Sequence, residues 1–399
     1  MSLLHPDDAR RLLLAGVTPL AAVRVPLADA AGRHAATDLA ALLTQPPFDA
    51  SAMDGWAVRH ADLPGPWRII GEAAAGHAFA GQLGTGETVR IFTGAPLPAG
   101  ADTVVVQEDM TADGETARLS GDGPPGRGAH VRKAGQDFAA GERLIPAGAL
   151  LGARRLGLLA ASGHGAVDVL ARPRVALLAT GDELVMPGEA PGPGQIVNAG
   201  SVMLAALLRA AGAEVRDLGI LPDRAPAIRT AIADVQADLL VTVGGASVGD
   251  HDLVVPVLNA LGAHLDFWKI AMRPGKPLVA GQLGAMRVLG LPGNPVSAYV
   301  CALLFGWPLV CALAGRPGDI PMVRARLAAP IAATGNRRDH LRGVCLPDGR
   351  VTALSTQDSA QIARLAEADV LIVREAHAPA AETGSEVDII RLDMFSDVA

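Results

Sequence analysis

From Arg174 to Leu291 the chain alternates short apolar runs with amphipathic or apolar stretches of helical length, and few folds accommodate that alternation. Strands are expected at 174–180, 214–220, 238–243 and 286–291, with helices at 201–211, 226–235 and 253–261 between them. Strand–helix alternation of this kind predicts a mostly parallel sheet with helices on both faces. Ligands of such sheets bind beyond the carboxyl ends of the strands. Three loops are expected there: Thr180-Gly181-Asp182-Glu183, the glycine-rich Gly244-Gly245-Ala246-Ser247-Val248-Gly249, and Leu291-Pro292-Gly293-Asn294-Pro295.

The rest of the chain has another texture. Residues 46–131 carry short apolar runs between Gly/Pro turns, as do residues 323–392, and each reads as a small β domain. Pro6 to Leu14 reads as a short helix, with Pro at its start and acids in its first turn. A helix is expected over 150–161 and extended chain over 163–169. Val296 to Gly315 runs twenty residues without a charge, which is membrane-span length. Pro308 in its middle and its place after a strand-end turn favour a buried helix pair in an α/β core.

At 399 residues the chain exceeds one ordinary core. A net charge of −7 argues against a general nucleic-acid or anionic-membrane surface. Cys301, Cys311 and Cys345 have no metal-ligand spacing and close no disulfide framework, so reduced core thiols in a cytosolic protein are expected. The N-terminus lacks the basic and apolar regions of a signal peptide.

Anion and metal chemistry leads among the function classes. The Gly244–Gly249 loop allows a close backbone approach before a helix start, which suits a phosphate or another oxyanion, although it has neither a Walker lysine nor dinucleotide glycine spacing. Glu183, Asp223, Asp250 and Asp252 gather at the same edge, where they read either as helix caps or as ligands of a divalent cation facing a phosphate. Lys269, Arg273 and Lys276 fall within eight residues, as an anion site or as a solvated basic rim. Pro46-Pro47-Phe48-Asp49-Ala50-Ser51-Ala52-Met53-Asp54-Gly55-Trp56-Ala57-Val58 packs prolines, carboxylates and a tryptophan into what reads as a functional loop. There is no G-x-S-x-G elbow and no H-E-x-x-H, so acyl transfer is not indicated.

With these segments, and with Thr93-Gly94-Ala95-Pro96, Gly100-Ala101-Asp102, Val131-Arg132, Gly135 and Asp137 in the same order, the whole chain resembles the molybdopterin molybdenumtransferases, the MoeA and gephyrin E-domain family. The resemblance implies a cytosolic homodimer of four-domain chains: 1–45 with 137–172 as a discontinuous mixed α/β domain, 46–136 as an inserted β domain, 173–318 as the α/β molybdopterin-binding domain, and 319–399 as a C-terminal β domain. It implies insertion of molybdenum from molybdate into adenylylated molybdopterin with release of AMP, helped by Mg²⁺ or another divalent cation. By the same likeness Glu183, Asp223 and Asp252 take metal or pterin contacts, and Lys269, Arg273 and Lys276 bind anion and pterin phosphate. Asp54, Thr93, Arg132, Asp137 and Ser359 are further implied positions, with Asp54 and Asp137 completing a site across the dimer. Gly244, Gly245, Ser247, Gly249, Pro292 and Arg342 are candidate ligand contacts. Arg273 stands where the family often has Lys. The pathway's adenylyltransferase and apo-molybdoenzymes are the implied partners. The alternatives are a molybdopterin adenylyltransferase, a non-catalytic carrier and a scaffold.

Overall fold

A computed structural model describes residues 3–244 and 253–395, with Phe267 and Trp268 by their backbone alone. Gly245, Ser247, Gly249, Asp250 and Asp252 lie outside the described residues. The chain divides into two compact units, one of residues 22–170 and one of 1–21 with 171–399.

Within 22–170, six strands form one sheet in the order Thr103–Val106, Gly55–Val58, Glu87–Ile91, Trp67–Ala73, Thr116–Leu119, Met110–Asp113. Both faces are covered, and the period of two sorts the side chains between them. Ala57, Val89 and Val104 enter one cluster, while Trp56, Val58, Trp67 and Val105 enter another. The segment expected as a loop at 46–58 therefore ends in a buried strand. Gly55 is required there, because a Cβ would lie 2.0 Å from the Val105 carbonyl oxygen. Helix Ala153–Ala161 contributes Leu159 to a separate cluster with Ala35, Leu39, Ile145, Val167 and Val169.

In the other unit, the central sheet runs Glu214–Leu221, Arg174–Thr180, Leu239–Val243, Met286–Leu291, Pro277–Leu283, His264–Lys269. The first four strands are parallel and the last two antiparallel. Val175 and Leu177 face one cluster and Ala176 and Leu178 the other, so the parallel core strand reads as a continuous apolar run. Helices Ala199–Ala210 and Pro295–Leu313 cover the first face; Ala225–Ala233 and Val254–Ala260 cover the second. The two antiparallel strands were not expected, because His264, Asp266 and Lys269 interrupt the apolar pattern and Pro277 opens its strand.

The uncharged segment forms one helix, Pro295–Leu313, rather than a pair. Its middle turn, Ala302–Gly306, is a π-helix, and Pro308 falls in the first turn of the α-helical part that follows. A π-turn and an N-terminal position both spare a hydrogen bond that proline cannot make. It is the one helix among the described residues long and apolar enough to cross a membrane, and 83% of its most apolar window is buried inside the protein.

A second sheet of this unit runs Met272–Arg273, Arg338–Cys345, Val370–Arg374, Glu386–Arg391, Val323–Arg326, with Val351–Ala353 also on 338–345. Residues 1–21 join the same unit through backbone bonds from Leu4 to Lys269 and Ala271, and through Ala9 and Leu13 in the main core. Asp7 receives Arg338 Nη2 at 2.9 Å, and this hydrogen bond holds its carboxyl below the usual range. Cys301 and Cys311 are buried as expected, and burial pushes the Cys301 thiol up to about 12. Cys345 is exposed and is no core thiol.

Candidate active site

Strand register fixes the edge on which the candidate residues gather. Thr180 pairs with Leu221, Ala179 with Val243, and Val243 with Leu291, so Glu183, Asp223, Gly244 and Pro292 all follow strands that end together. Val279 pairs with Gly290 and Lys269 with Pro277. The 269–277 connection therefore opens on that same edge, bringing Lys269, Arg273 and Lys276 to the strand ends that carry the acids.

Short contacts shape this edge. Gly244 takes φ +84°, donates to the Leu291 carbonyl at 3.2 Å, and lies where a Cβ on Gly293 would be 3.6 Å from its own Cα. Backbone thus meets backbone where the glycine-rich loop leaves its strand. Asp182 accepts the Asp223 N–H at 3.2 Å and so joins two strand-end turns. Glu183, Asp223, Lys269, Arg273 and Lys276 are exposed, and Pro292 is buried. Asn198, buried, caps helix 199–210 through the Ser201 N–H at 3.1 Å.

The basic connection is anchored at both ends. Ile270 N–H donates to the Lys276 carbonyl at 2.7 Å. Met272 and Arg273 pair with Arg338 and Asp339, and Arg273 Nη2 donates to Asp339 Oδ2 at 2.5 Å. Gly275 takes φ +99°, and a Cβ there would stand 2.5 Å from Cys301 Sγ. Gly275→Ala is expected to cost about 2–4 kcal/mol, combining a left-handed backbone with an overpacked contact. Cys301→Ala in that background should recover part of the loss in a urea titration; no recovery would mean that the backbone conformation alone sets the cost.

His340 is 3% exposed beneath this connection, with no partner for Nδ1. Burial, then the Arg338 charge, pushes it from 6.5 down to about 3, against opposing contributions from a hydrogen bond with the Arg273 backbone and from Asp7. The folded chain thus refuses a proton that the unfolded chain binds between those two values. Its stability contribution is complete above about 6.5 and declines as pH falls toward 3. The urea midpoint should fall through that window, and His340→Gln should flatten the fall; an unchanged slope would exclude His340 as its source. Asp7, whose carboxyl is lowered from 3.8, adds a loss that sets in around that value and overlaps the lower end of this window.

Arg342 is 1% exposed and is not offered to a ligand. It donates Nη1 to the Gln361 carbonyl at 3.0 Å and Nη2 to the Thr356 carbonyl at 3.2 Å, and Gln357 Oε1 receives its backbone N–H at 2.9 Å. It organises the loop that carries Ser359, whose carbonyl accepts the Val296 N–H at 3.1 Å beside the Pro292 turn.

In the 22–170 unit, Asp54 Oδ1 accepts both the backbone N–H and the hydroxyl of Thr93 at 2.8 Å, which lowers its carboxyl. Arg132 and Asp137 line a cavity of about 520 Å³ together with Pro46, Pro47, Phe48 and Gly94. Arg90 lies over both Trp56 and Phe92, 5.3 and 5.1 Å from the ring centres. Asp182 lies in the expected strand-end loop 180–183, whereas no motif singles out Asp339 and His340; the run Arg337-Arg338-Asp339-His340 at a strand start is their signal.

Among the described residues no three His, Cys, Asp or Glu side chains converge as a ready-made metal cage. Mg²⁺ needs none, because it is held by one or two carboxylates together with substrate phosphates and water. Glu183 and Asp223, exposed at neighbouring strand ends, fit that sparse requirement.

The fold is an α/β protein whose strand ends open on one edge, with acids toward one side of the sheet and bases toward the other. Family profiles match in three consecutive parts: the MoeA N-terminal region (domain I and II) at 4–163, a probable molybdopterin binding domain at 176–311, and the MoeA C-terminal region (domain IV) at 324–392. The molybdopterin molybdenumtransferase of Nostoc sp. is 35% identical over 386 residues, covering 92% of this chain and 88% of the relative. That of Haemophilus influenzae is 38% identical over 315 residues, covering 78% of each. The crystal structure of a molybdopterin biosynthesis MoeA protein from Pyrococcus horikosii superposes with a TM-score of 0.86 at 30% identity, over 98% of this chain and 99% of that one. The chain belongs to the molybdopterin molybdenumtransferase family.

Proposed function

We propose that this chain is a molybdopterin molybdenumtransferase that takes adenylylated molybdopterin and molybdate, releases AMP, and leaves molybdenum on the pterin dithiolene. The observation that carries the reading is the shared strand-end edge, with Glu183 and Asp223 at the ends of its first two strands and Lys269, Arg273 and Lys276 at its last two. Molybdate is a tetrahedral dianion, and ammonium and guanidinium groups bind such an ion. Glu183 and Asp223 would hold a divalent cation, with Asp252 as a third candidate. When bound, that cation supplies Lewis acidity and charge neutralisation at the phosphate. The protein's own part is to orient the phosphate with its basic groups and to let backbone approach at Gly244 and Gly293. Pro292 and the Ser359 loop, held by Arg342, shape the same rim.

Asp54, Thr93, Arg132 and Asp137 are proposed as ligand-binding residues, supported by the Asp54–Thr93 contact and the cavity shared by the other two. Homodimerisation, a cytosolic location, and dealings with the adenylyltransferase and apo-molybdoenzymes belong to the proposal as well. So does the four-part division at 45/46, 136/137, 172/173 and 318/319, with 1–21 packed into the α/β unit. Separate apolar clusters for 30–169, 56–131 and 325–389 support it. The test is AMP release from adenylylated molybdopterin with Mg²⁺, with and without molybdate. Molybdate-dependent release is expected; binding without release would replace the enzyme by a carrier.

A further inference from the structure

We infer that Asp339 is a positioning residue for oxyanion binding: it grips the Arg273 guanidinium by one nitrogen and leaves the other donors to a tetrahedral dianion of the molybdate class. This rests on the function proposed above. The pair is lopsided in exposure. The Asp339 side chain is 6% exposed and the Arg273 side chain 56%, although they meet at 2.5 Å. Arg174 and Asp238 share such a lopsided pairing, at 55% and 14%, so what sets Arg273 and Asp339 apart is their place on the strand-end edge. Here the acid is set in the protein and the base stands out from it, at the strand-end edge where Lys269 and Lys276 also open.

The backbone makes the grip rigid. Met272 and Arg273 run in parallel register with Arg338 and Asp339, so acid and base leave adjacent, hydrogen-bonded strands. Next to them, Gly275 packs on Cys301, and buried His340 bonds the Arg273 backbone. The guanidinium therefore has little freedom except about its own long stem, and Asp339 removes that.

Beside a buried acid, arginine suits this double duty better than lysine. A guanidinium carries five N–H donors in a planar fork and can serve two anions on different edges, whereas an ammonium is a single point of charge that the buried acid would claim. Arg273→Lys should thus leave Asp339 paired and the fold intact while weakening oxyanion binding.

The experiment measures molybdate binding by calorimetry and, in parallel, kcat and KM for molybdate in AMP release, on the full chain. Asp339→Asn is expected to raise both Kd and KM about tenfold with kcat within about twofold, because ground-state positioning is lost and the chemistry is not. Arg273→Lys should give a similar rise with an unchanged melting temperature, and the double variant should be no worse than the worse single one, since both act through one contact. Should Asp339→Asn fail to fold, Asp339→Glu and Arg273→Lys carry the test: the first should bind within about threefold of the parent, the second about tenfold more weakly. Unchanged binding in either weakening variant, or additive losses in the double variant, overturns the inference. If the parent binds molybdate without releasing AMP, the enzyme reading fails while the binding arm still decides Asp339. If it binds none, the inference falls with it.

Discussion

Asp223→Ala is expected to lower molybdate-dependent AMP release by about 10²–10³-fold, the usual size of losing one preorganised charged group at a reacting phosphate. Asp223 stands just past the end of strand 214–221, exposed, on the edge shared by Glu183 and the basic connection. Its backbone N–H is held by Asp182, so the turn keeps its shape when the side chain is cut back. Removal of an exposed side chain away from the core changes stability by about 0.5 kcal/mol at most. Activity and stability should therefore separate: a large loss in rate with an unchanged thermal midpoint. A rate within about threefold of the parent would remove Asp223 from the site. A lowered midpoint would mean that the turn itself had collapsed.

Arg342→Ala should show the opposite pattern, with a stability loss of about 3 kcal/mol. The guanidinium is buried, and burial lowers its basicity while the Asp358 charge opposes that. Its donors satisfy the carbonyls of Thr356 and Gln361, which would be left without them. Lysine cannot reproduce the fork, so Arg342→Lys should recover less than half of the loss. Urea titration reads the effect directly. A change below about 0.5 kcal/mol would show that water replaces the guanidinium at no cost. Because Ser359 is tied to Val296, loosening this loop should also raise the KM for the pterin substrate.

The parallel half of the central sheet was legible because burial on both faces writes itself as uninterrupted apolar runs; strand 286–291 was expected at its observed bounds. So was the edge that would carry ligands, since strand ends follow from strand direction. The antiparallel half was not, because His264, Asp266 and Lys269 break the apolar pattern of one strand and Pro277 opens the other. Contacts across long sequence separations were the other gap. Nothing local ties Asp54 to Thr93, 39 positions away, or assigns Arg342 to the carbonyls of a loop rather than to a ligand. Asp339 was hidden for the same reason, since its meaning depends on a residue 66 positions earlier.

The helix Pro295–Leu313 bears on how the chain leaves the ribosome. Nineteen uncharged, mostly apolar residues are what membrane-targeting factors select, so the segment must be covered soon after it emerges. Its cover is already made. The strands 174–180, 239–243 and 286–291 and helix 199–210, whose side chains share its core, all precede it in the chain. Among the described residues, Leu365, Leu371, Val373, Ile390 and Phe395, with the partly buried Ile320 and Leu392, arrive later to complete that core. The order of synthesis thus protects a segment that, placed first, would invite insertion into a bilayer.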